Sequence, residues 1–256
     1  SIKNEETNLF SSDKKTRVIS SFISYMNECL ERIERRLSEQ GASNLSEYIS
    51  EILDNAEDHS GEKWWFVFGY LDASNPSKLY SELVIYNLGK SISDSLIEKE
   101  ENSEVFTDNI KDYISMHGDT FSKESLLTVM SMQQFVSCKR DVDITRGNGL
   151  TDLLQFFDKV TKECFSSNVE VSPKMCILTG NTHLVLDGKY KPATGPDGAT
   201  KMFLNHDNTA TKRPDKRYIK TLDGVSFPGT LISLKYPLKD DSLVEVQSNE
   251  SETKSD

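Results

Sequence analysis

Residues 46–60, SEYISEILDNAEDHS, narrow the folds open to this chain more than any other stretch. At 3.6 residues per turn, Leu45, Tyr48, Ile49, Ile52, Leu53 and Ala56 fall on one side of a helix and predict a buried face. Asn44 with Glu47 three residues on reads as a capping box, and Ser60-Gly61 as the stop. Beside the apolar face runs a second stripe: Glu51, Asn55, Asp58 and His59. An acid, an amide, an acid and an imidazole within two turns can hold a divalent cation and a water. A solvated flank of ordinary polar residues is the competing reading.

The rest of the chain alternates helix and strand patterns. Apolar residues from Val18 to Leu37 predict a long helix over 14–40, ended by Gly41, that packs on the domain or forms a dimer contact. Trp64 to Leu71 and Glu82 to Asn87 predict a hairpin. Helical pieces follow at 92–99, 104–116 and 123–137, then a helix from Leu150 whose buried face is Leu150, Leu153, Leu154, Phe157 and Val160. Lys174–Thr179 and Thr182–Leu186 flank the turn signal Gly180-Asn181. Residues 200–204 and 229–236 predict further strands. Antiparallel neighbours after a motif helix favour a layered α+β fold over a doubly wound one.

Three motifs follow in order: E-x-x-x-N-A-x-x-H (51–59), N-x-G-x-S-I (87–92) and G-x-G-L (147–150), with Gly229-Thr230 opening the last strand. Together they resemble the GHKL ATP-binding superfamily of type II topoisomerases, heat-shock chaperone ATPases, histidine kinases, anti-sigma-factor kinases and MutL-type ATPases. The resemblance spans roughly residues 15–238. It implies a two-layer α/β sandwich of the Bergerat type, with a mixed, mostly antiparallel sheet covered on one face by helices. It divides the chain into a disordered start at 1–13, an ATP-binding domain at 14–238 with a lid at about 90–146, and a disordered acidic tail at 239–256.

The resemblance also assigns roles. Glu51 is the catalytic base that orients or deprotonates the attacking water, Asn55 the Mg²⁺ ligand, and Asp58 a polar neighbour of the nucleotide. Asn87 stands where the family usually has an adenine-binding Asp. Its oxygen can still accept, without charge. Gly89 lets the base approach, and Ile92 lines the same pocket. Ser91 replaces a second glycine and is compatible if its φ is negative. Arg146, Gly147, Asn148, Gly149 and Leu150 would cradle phosphate at a helix N-terminus, and Thr230 would bond near the adenine. The implied cofactors are ATP and Mg²⁺, and the implied activity is an ATPase acting as a nucleotide-driven switch with a protein partner. A serine/threonine kinase of the anti-sigma type and a non-hydrolysing nucleotide-gated module are the alternatives. No histidine precedes His59, so the first helix offers no phosphoacceptor imidazole.

Composition bounds the partners. A net charge of −11 argues against broad contact with a nucleic-acid backbone. No apolar run reaches the ~18 residues of a membrane span. The four cysteines form no C-x-x-C pair, which predicts reduced thiols in the cytoplasm. The basic loop with Lys212, Arg213, Lys216 and Arg217 reads as solvated, with a phosphate contact as the alternative.

Overall fold

A computed structural model describes residues 2–3, 11–60, 65–75, 78–98, 108–134, 149–165, 172–196 and 198–246, for residues 2–3, 11–13, 55–60, 149 and 165 in their backbone alone. In chain order the elements are β1 (Ile2–Lys3), α1 (Ser11–Glu31), β2 (Arg35–Leu37), α2 (Glu39–Ser60), β3 (Trp65–Asp72), β4 (Tyr80–Leu88), α3 (Ile92–Ile97), α4 (Asp108–His117), α5 (Lys123–Ser131) and α6 (Gly149–Phe165). There follow β5 (Lys174–Gly180), β6 (Thr182–Leu186), β7 (Ala193–Thr194), β8 (Thr200–Lys201), β9 (Ile219–Thr221), β10 (Phe227–Pro237), a 3₁₀ turn (Asp240–Ser242) and β11 (Leu243–Glu245).

Seven strands form one sheet in the order β1-β3-β4-β10-β5-β6-β9. Every described pairing in it is antiparallel, so the α+β sandwich stands without the parallel component expected of a mixed sheet. Period-two burial fixes which face is covered. On β4, Ser81, Leu83, Ile85 and Asn87 are buried, while Glu82, Val84 and Tyr86 on the other face are only partly so. On that open face Phe66 and Phe68 stack on Tyr86, with ring centroids at 4.8 and 5.8 Å.

The covered face carries the core. Leu45, Tyr48, Ile49, Ile52 and Leu53 of α2 are all buried, as their spacing predicts, against β4 and β10. Burial of each such side chain stabilises by about 1.5–3 kcal/mol. The stripe of α1 docks through Val18, Phe22, Met26 and Leu30, so its role is packing. The Phe22 ring lies where a Cβ on Gly69 would be, only 2.1 Å away, so a glycine is what lets α1 approach β3.

Four expectations need correction. The first helix ends at Glu31, not Gln40: the chain turns at Glu34, φ 58°, and Arg35–Leu37 pairs with β11. Asn27 Oδ1 accepts from Leu37 N at 2.9 Å and holds that turn. Second, α2 starts earlier than Asn44. Ser38 Oγ accepts from Gly41 N at 3.0 Å, and Asn44 is an interior residue bonded to Gln40 Nε2 at 2.8 Å. Gly41 is no stop, because it lies inside α2, where a Cβ would meet Ser242 O at 2.3 Å. Third, the tail from Lys239 is ordered through residue 246: it crosses α2 at Gly41 and adds β11 to β2. At the other end Ile2–Lys3 pairs with β3 at Val67 and Phe66, where frayed chain is expected. Fourth, the described part of segment 90–146 is no loose cover. In α5 every residue from Ser125 to Ser131 is buried, and Ser125 Oγ sits 3.0 Å from Thr182 Oγ1 and 2.9 Å from Thr221 Oγ1.

The basic loop is organised by Asp215. Its carboxylate accepts from Arg217 Nη2 at 2.6 Å and Tyr190 Oη at 2.9 Å, and its backbone N–H donates to Leu204 O at 2.8 Å. The Arg217 hydrogen bonds hold this carboxyl well below the usual carboxylate range. A depressed carboxylate adds stability above its unfolded value of about 3.9, and that stability is lost as pH falls below it. Asp215→Asn is therefore expected to lower the melting temperature at pH 7 and to flatten its fall below about pH 4, read by thermal unfolding across pH.

Candidate functional site

Helices α2 and α6 run antiparallel, and this sets the first half of the site. The Tyr48 ring packs at a tilt on Phe156, centroids 4.7 Å apart, and its hydroxyl donates to Glu163 Oε2 at 3.4 Å, while Lys159 Nζ donates to Glu47 Oε1 at 2.7 Å. The first half of α2, Gly41 to Tyr48, lines one pocket with the far end of α6, Val160 to Cys164. The next turn of α2 carries Glu51, whose charge interacts with that of Asp152 in the first turn of α6. Leu150, at the head of α6, is buried.

Burial pushes the Glu51 carboxyl up, and the negative charges of Asp54, Asp152 and Glu47 push it the same way, with Lys159 opposing. A half-buried acid among acids holds its proton more readily than one in water, which suits a group that must take a proton near neutrality.

The second half lies at the ends of β4, β5 and β10. Asn87 Oδ1 accepts from Thr230 N at 3.1 Å, which joins the second and fourth motifs across 143 residues. Thr230 Oγ1 meets Thr179 Oγ1 at 2.9 Å, and Thr179 Oγ1 accepts from Ile92 N at 2.8 Å. Gly229, φ 139°, makes the strand crossing possible: a Cβ there would lie 2.2 Å from Asn87 O. Gly89 is exposed beside it, its N–H bonded to Pro228 O at 3.1 Å.

Ser91 has φ −72°, the negative value that lets a serine replace glycine. It caps α3: its Oγ accepts from Asp94 N at 3.1 Å, and Asp94 Oδ2 accepts from Ser91 N at 3.0 Å. This capping box was readable in SISD. Thr179 and Asp152 were missed by motif reasoning. The only sequence signal for Thr179 is its phase with inward-facing Met175 and Ile177 on β5.

The structure thus brings together Asn87, Ile92 and Thr230 at the strand ends, and sets Glu51 near enough to Asp152, in the first turn of α6, for their charges to interact. The side chains of Asn55, Asp58 and His59, and all of Arg146, Gly147 and Asn148, lie outside the described residues.

No protein-family model matches the chain, and neither does any curated protein or solved structure. No helix among the described residues is long and apolar enough to cross a membrane. Nor do the described residues hold a group of three His, Cys, Asp or Glu side chains that could bind a metal ion. A Mg²⁺ that takes most of its ligands from phosphate and water needs no such group.

Proposed function

We propose that the chain binds ATP with Mg²⁺ and hydrolyses it as a GHKL-type ATPase, acting as a nucleotide-driven switch with a protein partner. The observation that supports this reading is the packing of α2 on α6, in which the Glu51 carboxyl has raised proton affinity and interacts with the charge of Asp152 in the first turn of α6. Free N–H groups at a helix N-terminus favour phosphate, and an in-line water between phosphate and carboxylate is what phosphoanhydride hydrolysis requires.

In this reading Glu51 orients or deprotonates the water. Asn55, one turn on, supplies a neutral oxygen to Mg²⁺, and residues 146–150 receive the phosphates, with Asp58 a polar neighbour. The Asn87–Thr230–Thr179–Ile92 chain shapes the wall for the base beside Gly89. A carbonyl oxygen has two lone pairs, so accepting from Thr230 does not by itself exhaust Asn87. A cation completing the transition state would come from the partner or from the segment 90–146. Cys29, Cys164 and Cys176 are free thiols, which fits a reducing compartment, the cytoplasm.

Incubation of the full chain with γ-labelled ATP and Mg²⁺ tests this. Release of inorganic phosphate, stimulated by the partner, is the expected result. Label carried to a serine or threonine of another protein would replace hydrolysis with kinase chemistry, and retention of ATP without turnover would leave a nucleotide-gated binding module.

A further inference from the structure

The open face of the sheet holds a pair of reactive groups that the nucleotide reading leaves unused. Strand alternation puts Met175, Ile177 and Thr179 of β5 in the core, and Cys176 and Leu178 on the open side. On β6 the same alternation leaves His183 and Val185 on that side. Register then makes the pair. Cys176 stands opposite Val185, and Leu178 opposite His183, so the cysteine and the histidine are diagonal neighbours. His183 Nε2 lies 3.1 Å from Cys176 Sγ, and both residues are partly exposed. Of the free thiols Cys29, Cys164 and Cys176, the last is the one with a histidine in hydrogen-bond reach among the described residues.

Burial and the charge of Glu82 push the Cys176 thiol up, while burial and the charge of Lys220 push the His183 imidazole down. Both shifts favour a neutral thiol beside a neutral imidazole over an ion pair. Such a thiol is no standing thiolate; it attacks when the adjacent base takes its proton. Lysines surround the pair. Lys220 of β9 is opposite His183, Lys174 is two residues before Cys176 on the same face, and Lys235 of β10 is opposite Lys174. Against them stands Glu82, opposite Lys235 on β4, whose Oε1 accepts from Ser233 Oγ at 2.9 Å. Three lysines around one carboxylate favour a reactant that carries carboxylates of its own.

We propose that Cys176 is a thiolation site for small anionic disulfides, with His183 as the base that activates it. The thiol proton passes to Nε2 as Sγ attacks one sulfur of the disulfide. A new S–S bond forms on Cys176, the original one breaks, and the departing thiolate takes the proton from His183. The Cys176 sulfur is oxidised and the departing half is reduced, so the disulfide is the sole oxidant required. The adduct stands on the sheet face away from the core, and the site stands or falls without the nucleotide reading.

Oxidised glutathione serves as the probe, incubated with the full chain, with cystamine as its cationic counterpart; peptide mass spectrometry reads the rate at each cysteine. At pH 7 the adduct is expected first at Cys176, and several-fold faster from oxidised glutathione than from cystamine. Without a base a thiol is at most about a few per cent ionised at that pH, so His183→Gln should slow the Cys176 reaction at least about tenfold. The gap should close as pH rises towards about 10, where the medium itself ionises the thiol. That convergence shows the sulfur still accessible in the variant. No adduct at Cys176, a parent-like rate in His183→Gln at pH 7, a gap that persists at high pH, or cystamine reacting as fast as oxidised glutathione would overturn the proposal.

Discussion

On the proposed function, Glu51→Gln is expected to stop ATP turnover while ATP-Mg²⁺ still binds within a few-fold of the parent chain. A positioned general base contributes about 10²–10⁴ in rate, so a loss of at least about 100-fold is expected in phosphate release. The same substitution should raise the melting temperature at neutral pH. Burial and the neighbouring acids make ionised Glu51 costly in the folded chain. For an acid whose folded pKa is raised, the stability it contributes is present below its unfolded value of about 4.3 and is lost as pH rises through the folded value. A neutral amide removes that loss. The rate should behave oppositely: turnover needs the ionised form and falls as pH drops through the raised value, so its acid limb is shifted upward from that of an unperturbed glutamate. A parent-like rate in Glu51→Gln would remove this residue from the chemistry.

Gly229→Ala is the substitution expected to damage the site most through the fold. At φ 139° an added Cβ is strained, and it would sit 2.2 Å from the Asn87 carbonyl oxygen and 3.0 Å from Gly89 N. Backbone strain of this kind costs about 1–3 kcal/mol. Overpacking against main chain that cannot rotate away adds about as much. Together they predict a loss of roughly 2–6 kcal/mol, which in a domain this size is on the order of 10 °C in melting temperature. Because the displaced strand end carries Asn87, nucleotide affinity should fall in the same variant. Gly198→Ala is the control: its φ is 74°, yet nothing lies within 4 Å of the added Cβ, so only the conformational strain remains. Equal melting temperatures for the two variants would show that the β4–β10 end is looser than described.

The buried face of α2 was legible because helical periodicity is local: Leu45 to Leu53 report their own burial. The β5–β6 hairpin was legible for the same reason, through Gly180, φ 52°, at its turn. What failed was set by partners distant in sequence. Ile33 and Leu37 continue the apolar stripe of α1, yet Leu37 is buried from a strand that exists only because residues 243–245 pair with it. Gly41 reads as a terminator, but it is glycine because Ser242 crosses the helix there. The polar composition of the tail conceals that pairing, since ladder hydrogen bonds use backbone atoms that every residue carries. At the candidate site, motif spacing singled out Glu51 and Asn87. Thr179, which links Thr230 to Ile92, was not, because a single inward threonine has no pattern of its own.

Calorimetric titration of the full chain with a non-hydrolysable ATP analogue, with and without Mg²⁺, tests the central claim most directly. The account predicts saturable heat at one nucleotide per chain, stronger with Mg²⁺ and retained in Glu51→Gln. No heat for any adenine nucleotide in the presence of Mg²⁺ would contradict it.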